Sequence, residues 1–247
     1  MSAKPLGIVV YQGSSAIDGS SIVALLSDES SNRKTGHPGK GKNMQQLWIM
    51  RTDVEPHEAL KTGADRAVCG DCPLRGKATG TGCKGRACYV LVHNGPLQVF
   101  RKWVEGRYAD AGTGAGRLAM ARAATVGRSV RLGAYGDPGA LPVAVLEALV
   151  ENADGHTGYT HQYGNRPEMA RRCMVSVETR SAARAAHAAG ARTFRVRTDE
   201  NEALLPGEIV CPAESRDRKC IDCGLCNGAG PAKSIVITAH GAGKGNV

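Results

Sequence analysis

Apolar positions in this chain come in short blocks, and the breaks between them are rich in glycine, proline and charge. Residues 7–12, GIVVYQ, carry the β-branched density of a strand. The run GSSIVALLS at 19–27 is apolar without a clear period and reads as strand or helix. Residues 28–46 are polar, Gly-containing and basic, which predicts a loop, and LWIMRTDV at 47–54 returns to strand. EPHEALKTG has proline at its start and glycine at its end, the order expected of a short helix. Two further helices are predicted at 96–108 and 114–127 from apolar residues at helical spacing.

From residue 130 the pattern becomes regular. Strands are predicted at 130–135, 157–163, 173–178, 192–198, 207–212 and 234–240, and helices at 140–153 and 180–190. This alternation predicts α/β: a partial or complete (β/α) barrel-like parallel sheet with a Cys-rich, Gly-rich N-terminal lobe. The lobe would span 1–127 and the βα-repeat region 128–247, unless the two form one integrated domain. Each of those strands is followed at once by a polar or reactive residue: Asp137, His161 with Gln162, Glu178, Thr198, Cys211 and His240. Ligands of parallel α/β folds sit at the carboxyl ends of the strands. Asp137, His161 and Glu178 are therefore the candidate catalytic residues, as acid/base groups or polar anchors. Strands also end in polar residues simply because loops are wet.

Nine cysteines change the picture. Eight form two groups of four: Cys69, Cys72, Cys83 and Cys88, then Cys211, Cys220, Cys223 and Cys226. In a reducing compartment such clusters point to metal rather than to disulfides. CIDCGLC, residues 220–226, spaces three thiols so that all can turn to one centre. Cys211, which precedes Pro212, is the candidate fourth ligand. A C-x2-C-x2-C run with a remote Cys-Pro resembles the ligand set of a bacterial-ferredoxin cluster, here with the chain order reversed. A [4Fe–4S] cluster is expected, with zinc as the alternative, although zinc knuckles normally use two separated pairs. The first group, C-x2-C-x10-C-x4-C, suits a cluster, zinc or a purely structural staple. Cys173 reads as a small buried apolar residue, and His187 as a packed or solvated one.

Lys and Arg outnumber Asp and Glu by 32 to 23, and eight arginines lie between Tyr159 and Arg197. Such a surface would attract phosphates; a GC-rich gene would give the same count. Nucleic-acid contacts are expected from Arg166, Arg171 and Arg172, and from the basic stretch 31–43 through Lys34, Lys40 and Lys42. GHPGKGKN lacks the G-x4-G-K-[ST] frame, which excludes a Walker phosphate loop. The sequence has no run of about 18 apolar residues, and its first residues turn polar too soon for a secretory signal. A cytoplasmic protein is expected.

The motifs GSSAIDGSSIVALLS, SNRKTG, MQQLWIMRTDVEPHEALKTGAD, CGDCP, ACYV, LGAYGDP, YTHQ and CPAES followed by CIDCGLC stand in one chain. Together they resemble an uncharacterised family of cysteine-rich proteins carried by phages and mobile elements, over most of the chain from Gly7 to His240. HPGKGKN is an extra basic stretch relative to that pattern. The resemblance implies a phage or plasmid setting and supplies no activity. A weaker similarity is to radical S-adenosylmethionine enzymes, which share a partial (β/α) barrel and a cubane at its open face. Their usual C-x3-C-x2-C triplet is absent here. The expectation is a metalloprotein, iron–sulfur in kind, acting on nucleic acid or nucleotides as a modification enzyme of a phage or mobile element. The alternatives are a zinc-stabilised nucleic-acid-binding replication accessory and an electron-transfer or redox-sensing iron–sulfur protein.

Overall fold

Burial on both faces settles the ambiguous run at 19–27. Ile22, Val23, Ala24, Leu25 and Leu26 are each at most 1% exposed. A strand enclosed on both sides reads as a continuous apolar run rather than as an alternation. The computed structural model describes residues 4–28, 34–37, 42–241 and 243–247, with residue 42 in its backbone only. In it the run is β2 (Ser21–Ser27), antiparallel to both β1 (Gly7–Ser14) and β3 (Gln45–Arg51).

The remaining long-sheet strands are β4 (Tyr108–Ala109), β5 (Ser129–Tyr135), β6 (Gly155–Thr160), β7 (Met174–Val177), β8 (Thr193–Arg197), β9 (Glu208–Val210) and β10 (Ser234–Thr238). They form one ten-stranded sheet in the order β9-β10-β8-β7-β6-β5-β3-β2-β1-β4. Every pairing is parallel except the two made by β2. Strands β5 to β8 follow one another in space as they do in sequence, and β10 then inserts between β8 and β9. Because β3 pairs with β5, the sheet runs straight across residue 127.

The helices are α1 (Pro56–Thr62), α2 (Arg66–Cys69), α3 (Gly95–Val104), α4 (Gly114–Ala124), α5 (Val143–Val150), α6 (Arg180–Ala188), α7 (Pro212–Ser215) and α8 (Cys220–Cys223). Local chemistry sets their ends. Thr113 caps α4 by accepting from the Gly116 amide, and Thr179 caps α6 by accepting from the Ala182 amide. The main core gathers Leu25, Leu47, Ile49, Leu132, Leu146 and Leu149 from β2, β3, β5 and α5. No helix among the described residues is long and apolar enough to cross a membrane.

The arginines of β8 are not a phosphate-facing strip. Thr193, Arg195 and Arg197 are buried on one face of the strand, while Phe194 and Val196 are half-buried on the other. Arg195 donates through Nε and Nη2 to the two carboxylate oxygens of Glu208, both at 2.8 Å, and its Nη1 meets Glu202. Arg197 donates to the Glu202 carbonyl at 2.9 Å, and Arg192 to the carbonyls of Leu225, Gly228 and Lys233. For these three of the eight arginines, carboxylates and carbonyls of the protein itself take the place a phosphate would have.

The Arg195–Glu208 pair generates a pH-dependent prediction. Burial alone would raise the Glu208 carboxyl pKa, but the hydrogen bonds from Arg195 and from the Leu205 amide outweigh it, and the value lies below the ordinary 4.5. The stabilisation is therefore complete above about pH 4.5 and is lost as pH falls through the lower folded-state value. Glu208→Gln is expected to cost about 3 kcal/mol at neutral pH, the low end for breaking a buried pair, because Glu202 remains beside Arg195. Urea unfolding across pH should show the gap between wild type and variant narrowing below pH 4.5; a pH-independent gap would refute the assignment.

Candidate functional site

Chain geometry at the end of β5 delivers Asp137 to the carboxyl rim of the sheet. Gly136 turns the chain at φ 82°, and a Cβ there would stand 2.8 Å from the Ile49 carbonyl oxygen, so glycine is required twice over. Asp137 Oδ1 accepts from the Gly139 amide and from Thr160 Oγ1, and Oδ2 accepts from the His161 amide, each at 2.7 Å. Its own amide donates to the Val68 carbonyl at 2.6 Å. Burial raises the carboxyl pKa, with these hydrogen bonds opposing. Among the roles expected for Asp137, the contacts describe the polar anchor: the carboxylate ties the exits of β5 and β6 together.

His161 leaves β6 next to this anchor. Its Nε2 is 2.8 Å from Glu178 Oε1 and 4.0 Å from Cys72 Sγ. Burial lowers the ring's pKa, but the contacts to Cys72 and Glu178 outweigh burial and push it up to about 10. Gln162, the next residue, donates to the Cys69 carbonyl at 3.2 Å. Gly70 makes that approach possible: it sits at φ 58°, and a Cβ would lie 2.3 Å from the Gln162 amide oxygen. The C-x2-C turn is thereby pressed against the strand exit.

The first thiol group is held by two local structures. Cys69, Cys72 and Cys88 lie within electrostatic reach of one another, and His161 is within reach of Cys72 and Cys88. Burial pushes the Cys69 and Cys88 thiols up, while Arg86 and the Val90 amide favour the Cys88 thiolate. Cys83 sits on a separate two-residue hairpin, Lys77–Ala78 with Cys83–Lys84, and its Sγ donates to the Arg75 carbonyl at 3.2 Å. The segment between is held by Arg75 and buried Asp65, which form an ion pair.

In the second group, Cys211, Cys220 and Cys223 all lie within electrostatic reach of Cys226. Cys211 follows β9, Cys220 and Cys223 begin and end α8, and Gly224 closes that turn at φ 64°. Cys226 is pushed up to about 12, first by burial and then by the neighbouring Cys211, Cys220 and Cys223, against a hydrogen bond from the Tyr159 hydroxyl. The Lys34 carbonyl accepts from the Cys220 amide at 2.8 Å, and His37 pairs with Asp222 at 2.8 Å, so α8 is docked from the N-terminal half. A small cavity of about 150 Å³ separates α8 from Ser129 and Gly155, the first residues of β5 and β6. Cys220 and Cys223 thus lie toward the amino ends of β5 and β6, whereas Cys211 leaves the carboxyl end of β9 and His161 meets Cys72 at the carboxyl end of β6.

Both groups border a larger cavity of about 250 Å³. Ala134, Phe194, Val196 and Ile237 give it an apolar sheet wall; Cys69, Cys72, Cys88, Cys211 and Cys220 stand around it with Arg131, Asp137 and His161. Tyr89 and His240, stacked with ring centroids 5.5 Å apart, also line it. Glu178 reaches it through His161. The sequence did not single out Arg131 or Tyr89; the available signal for Arg131 was a charge inside the apolar strand VRLGAY. Soft thiols with amide, phenol and guanidinium neighbours suit a thiolate-ligated metal in their chemistry. Among the described residues, no three or more His, Cys, Asp or Glu side chains stand in metal-binding geometry.

The other expected residues have separate fates. Arg166 donates to the carbonyls of Gly139 and Leu141 and pairs with Glu168; Arg172 forms a two-point pair with Glu147. Arg171 is exposed. Lys34 Nζ lies 3.2 Å from His240 Nε2, Lys42 pairs its backbone with His37, and Lys40 falls outside the described residues. Cys173 is fully buried, as expected, and His187 is packed between Thr193 and Ser234 at 2.9 and 3.0 Å.

Asp137→Asn is expected to cost about 1.5–3 kcal/mol in urea unfolding, since one oxygen that accepts from a buried donor becomes an amide nitrogen. A change under about 0.5 kcal/mol, the usual size at an uncommitted surface site, would show that the carboxylate does not hold the strand exits. Comparison with family models, curated proteins and solved structures finds no match to this chain.

Proposed function

We propose that the protein is a thiolate-ligated metal enzyme of the iron–sulfur kind that acts on nucleotides or on single bases of a nucleic acid, in a phage or mobile-element setting. One observation carries the reading: both cysteine groups open on one cavity that also receives His161 and Asp137. A staple that merely stabilises the chain has no need of a shared cavity. The apolar lining on one face of a largely parallel sheet fits a partial barrel with its ligand space inside. At about 250 Å³ the space is near the lower bound of small-molecule pockets, roughly 300 Å³, which favours a nucleotide or an extruded base over a duplex.

Cys211, Cys220, Cys223 and Cys226 would hold one centre. Cys69, Cys72 and Cys88 would hold the other, with His161 or Cys83 as fourth donor. A bound [4Fe–4S] cluster supplies one-electron transfer. The chain's own residues set the surroundings: Asp137 fixes the His161 backbone, Glu178 orients its ring, and Tyr159 donates to the Cys226 sulfur.

Anaerobic purification followed by iron, zinc and sulfide analysis tests this. The expected outcome is a brown protein with iron and acid-labile sulfide in equal amounts; a colourless protein with stoichiometric zinc would replace this reading with the zinc-stabilised binder. Cys223→Ala and Cys88→Ser should each lose metal, whereas Cys173→Ala should retain it and cost no more than about 1–2 kcal/mol. Unchanged metal content in Cys223→Ala would remove the second centre.

A further inference from the structure

Among the described residues, Arg131 is a buried arginine of the sheet that meets neither a carboxylate nor a carbonyl. It is 8% exposed, and its single hydrogen bond among the described residues runs from Nη2 to the Tyr89 hydroxyl at 2.7 Å. No carboxylate pairs with it among the described residues. Arg195 shows the contrast, with two carboxylates on one guanidinium. The remaining Arg131 N–H groups are not sealed in protein, since none is a buried atom lacking a partner, and the side chain lines the large cavity. A guanidinium held in a mostly apolar space with most of its donors unused is costly unless something else accepts from them.

We propose that Arg131 anchors an anion subsite in this cavity, taking the carboxylate or phosphate of a small organic ligand whose body lies along Phe194, Val196 and Ile237. A planar fork of donors matches either oxyanion at two points. The apolar wall opposite excludes a bare hydrated ion as the natural occupant, and the stacked Tyr89–His240 pair gives a flat ring a surface to lie on. The inference rests on the reading of this cavity as the reaction site, but not on the presence of a cluster. The rival role for Arg131 is to offset thiolate charge at nearby Cys220, which would affect metal content and not ligand affinity.

Isothermal titration at low salt, with adenosine monophosphate and with benzoate as probes, separates the phosphate and carboxylate sources. The wild-type protein is expected to bind at least one probe, Arg131→Gln to weaken that binding tenfold or more, and Arg131→Lys to recover part of it. Ser176→Tyr, which fills the cavity without touching Arg131, should abolish binding and serves if Arg131→Gln does not fold. No binding of either probe, unchanged affinity in Arg131→Gln, or full affinity in Ser176→Tyr would each overturn the proposal. Iron measured on the same samples keeps the two readings apart. Probe binding without iron upholds the subsite and removes the cluster; iron without probe binding does the reverse.

Discussion

One buried residue, Asp137, joins the sheet to the thiol-bearing segment. Asp137 accepts from Gly139, Thr160 and His161 while its amide donates to Val68. Remove the acceptor and each buried donor is left unsatisfied, at about 1–3 kcal/mol apiece. The Val68 contact carries the constraint further, because Val68 precedes Cys69 in α2. The position of Cys72 relative to His161 therefore depends on Asp137, which holds the His161 amide through its carboxylate and the Val68 carbonyl through its own amide. Gly136 and Gly70 are the backbone conditions for this arrangement, one turning the strand exit and the other admitting Gln162.

The arginines show how little a residue type says without its partners. Arg195 is a structural charge locked between two glutamates, Arg192 a hydrogen-bond donor that gathers the carbonyls after Cys223, and Arg131 a buried guanidinium left to a phenol. All three sit in or beside strands that are apolar in sequence. Positive charge counted along the chain overstates the charge available to an outside partner, because burial demands that most of it be answered within.

Much of the fold was legible in the sequence. Strands from 130 onward were marked by alternation with helices and by the polar residue after each, and helices by their proline starts and glycine ends. The run at 19–27 was not decidable, because a strand buried on both faces loses its period. The insertion of β10 between β8 and β9 was equally invisible, since periodicity reports which segments are strands and says nothing of their neighbours. Asp137 and His161 were marked as site residues by their place after a strand, but the same mark could not distinguish the anchor from the group facing the cavity. Arg131 was visible as a charge in an apolar strand; only its place in the cavity lining tells where that charge faces.

The two cysteine groups differ in how far spacing can be trusted, and the reason is chain length between thiols. In CIDCGLC each step is two residues, too short for the backbone to do anything but turn, so the three sulfurs remain neighbours and Cys211 is brought to them by the β9–β10 pairing. In the first group ten residues separate Cys72 from Cys83, enough to build a hairpin with its own backbone bonds. That hairpin turns Cys83 toward the Arg75 carbonyl, while His161, distant in sequence, comes to 4.0 Å from Cys72. A short spacing is a geometric restraint and a long one is only a count. The imidazole that approaches Cys72 is accordingly supplied by the sheet, through the strand exit that Asp137 holds in place.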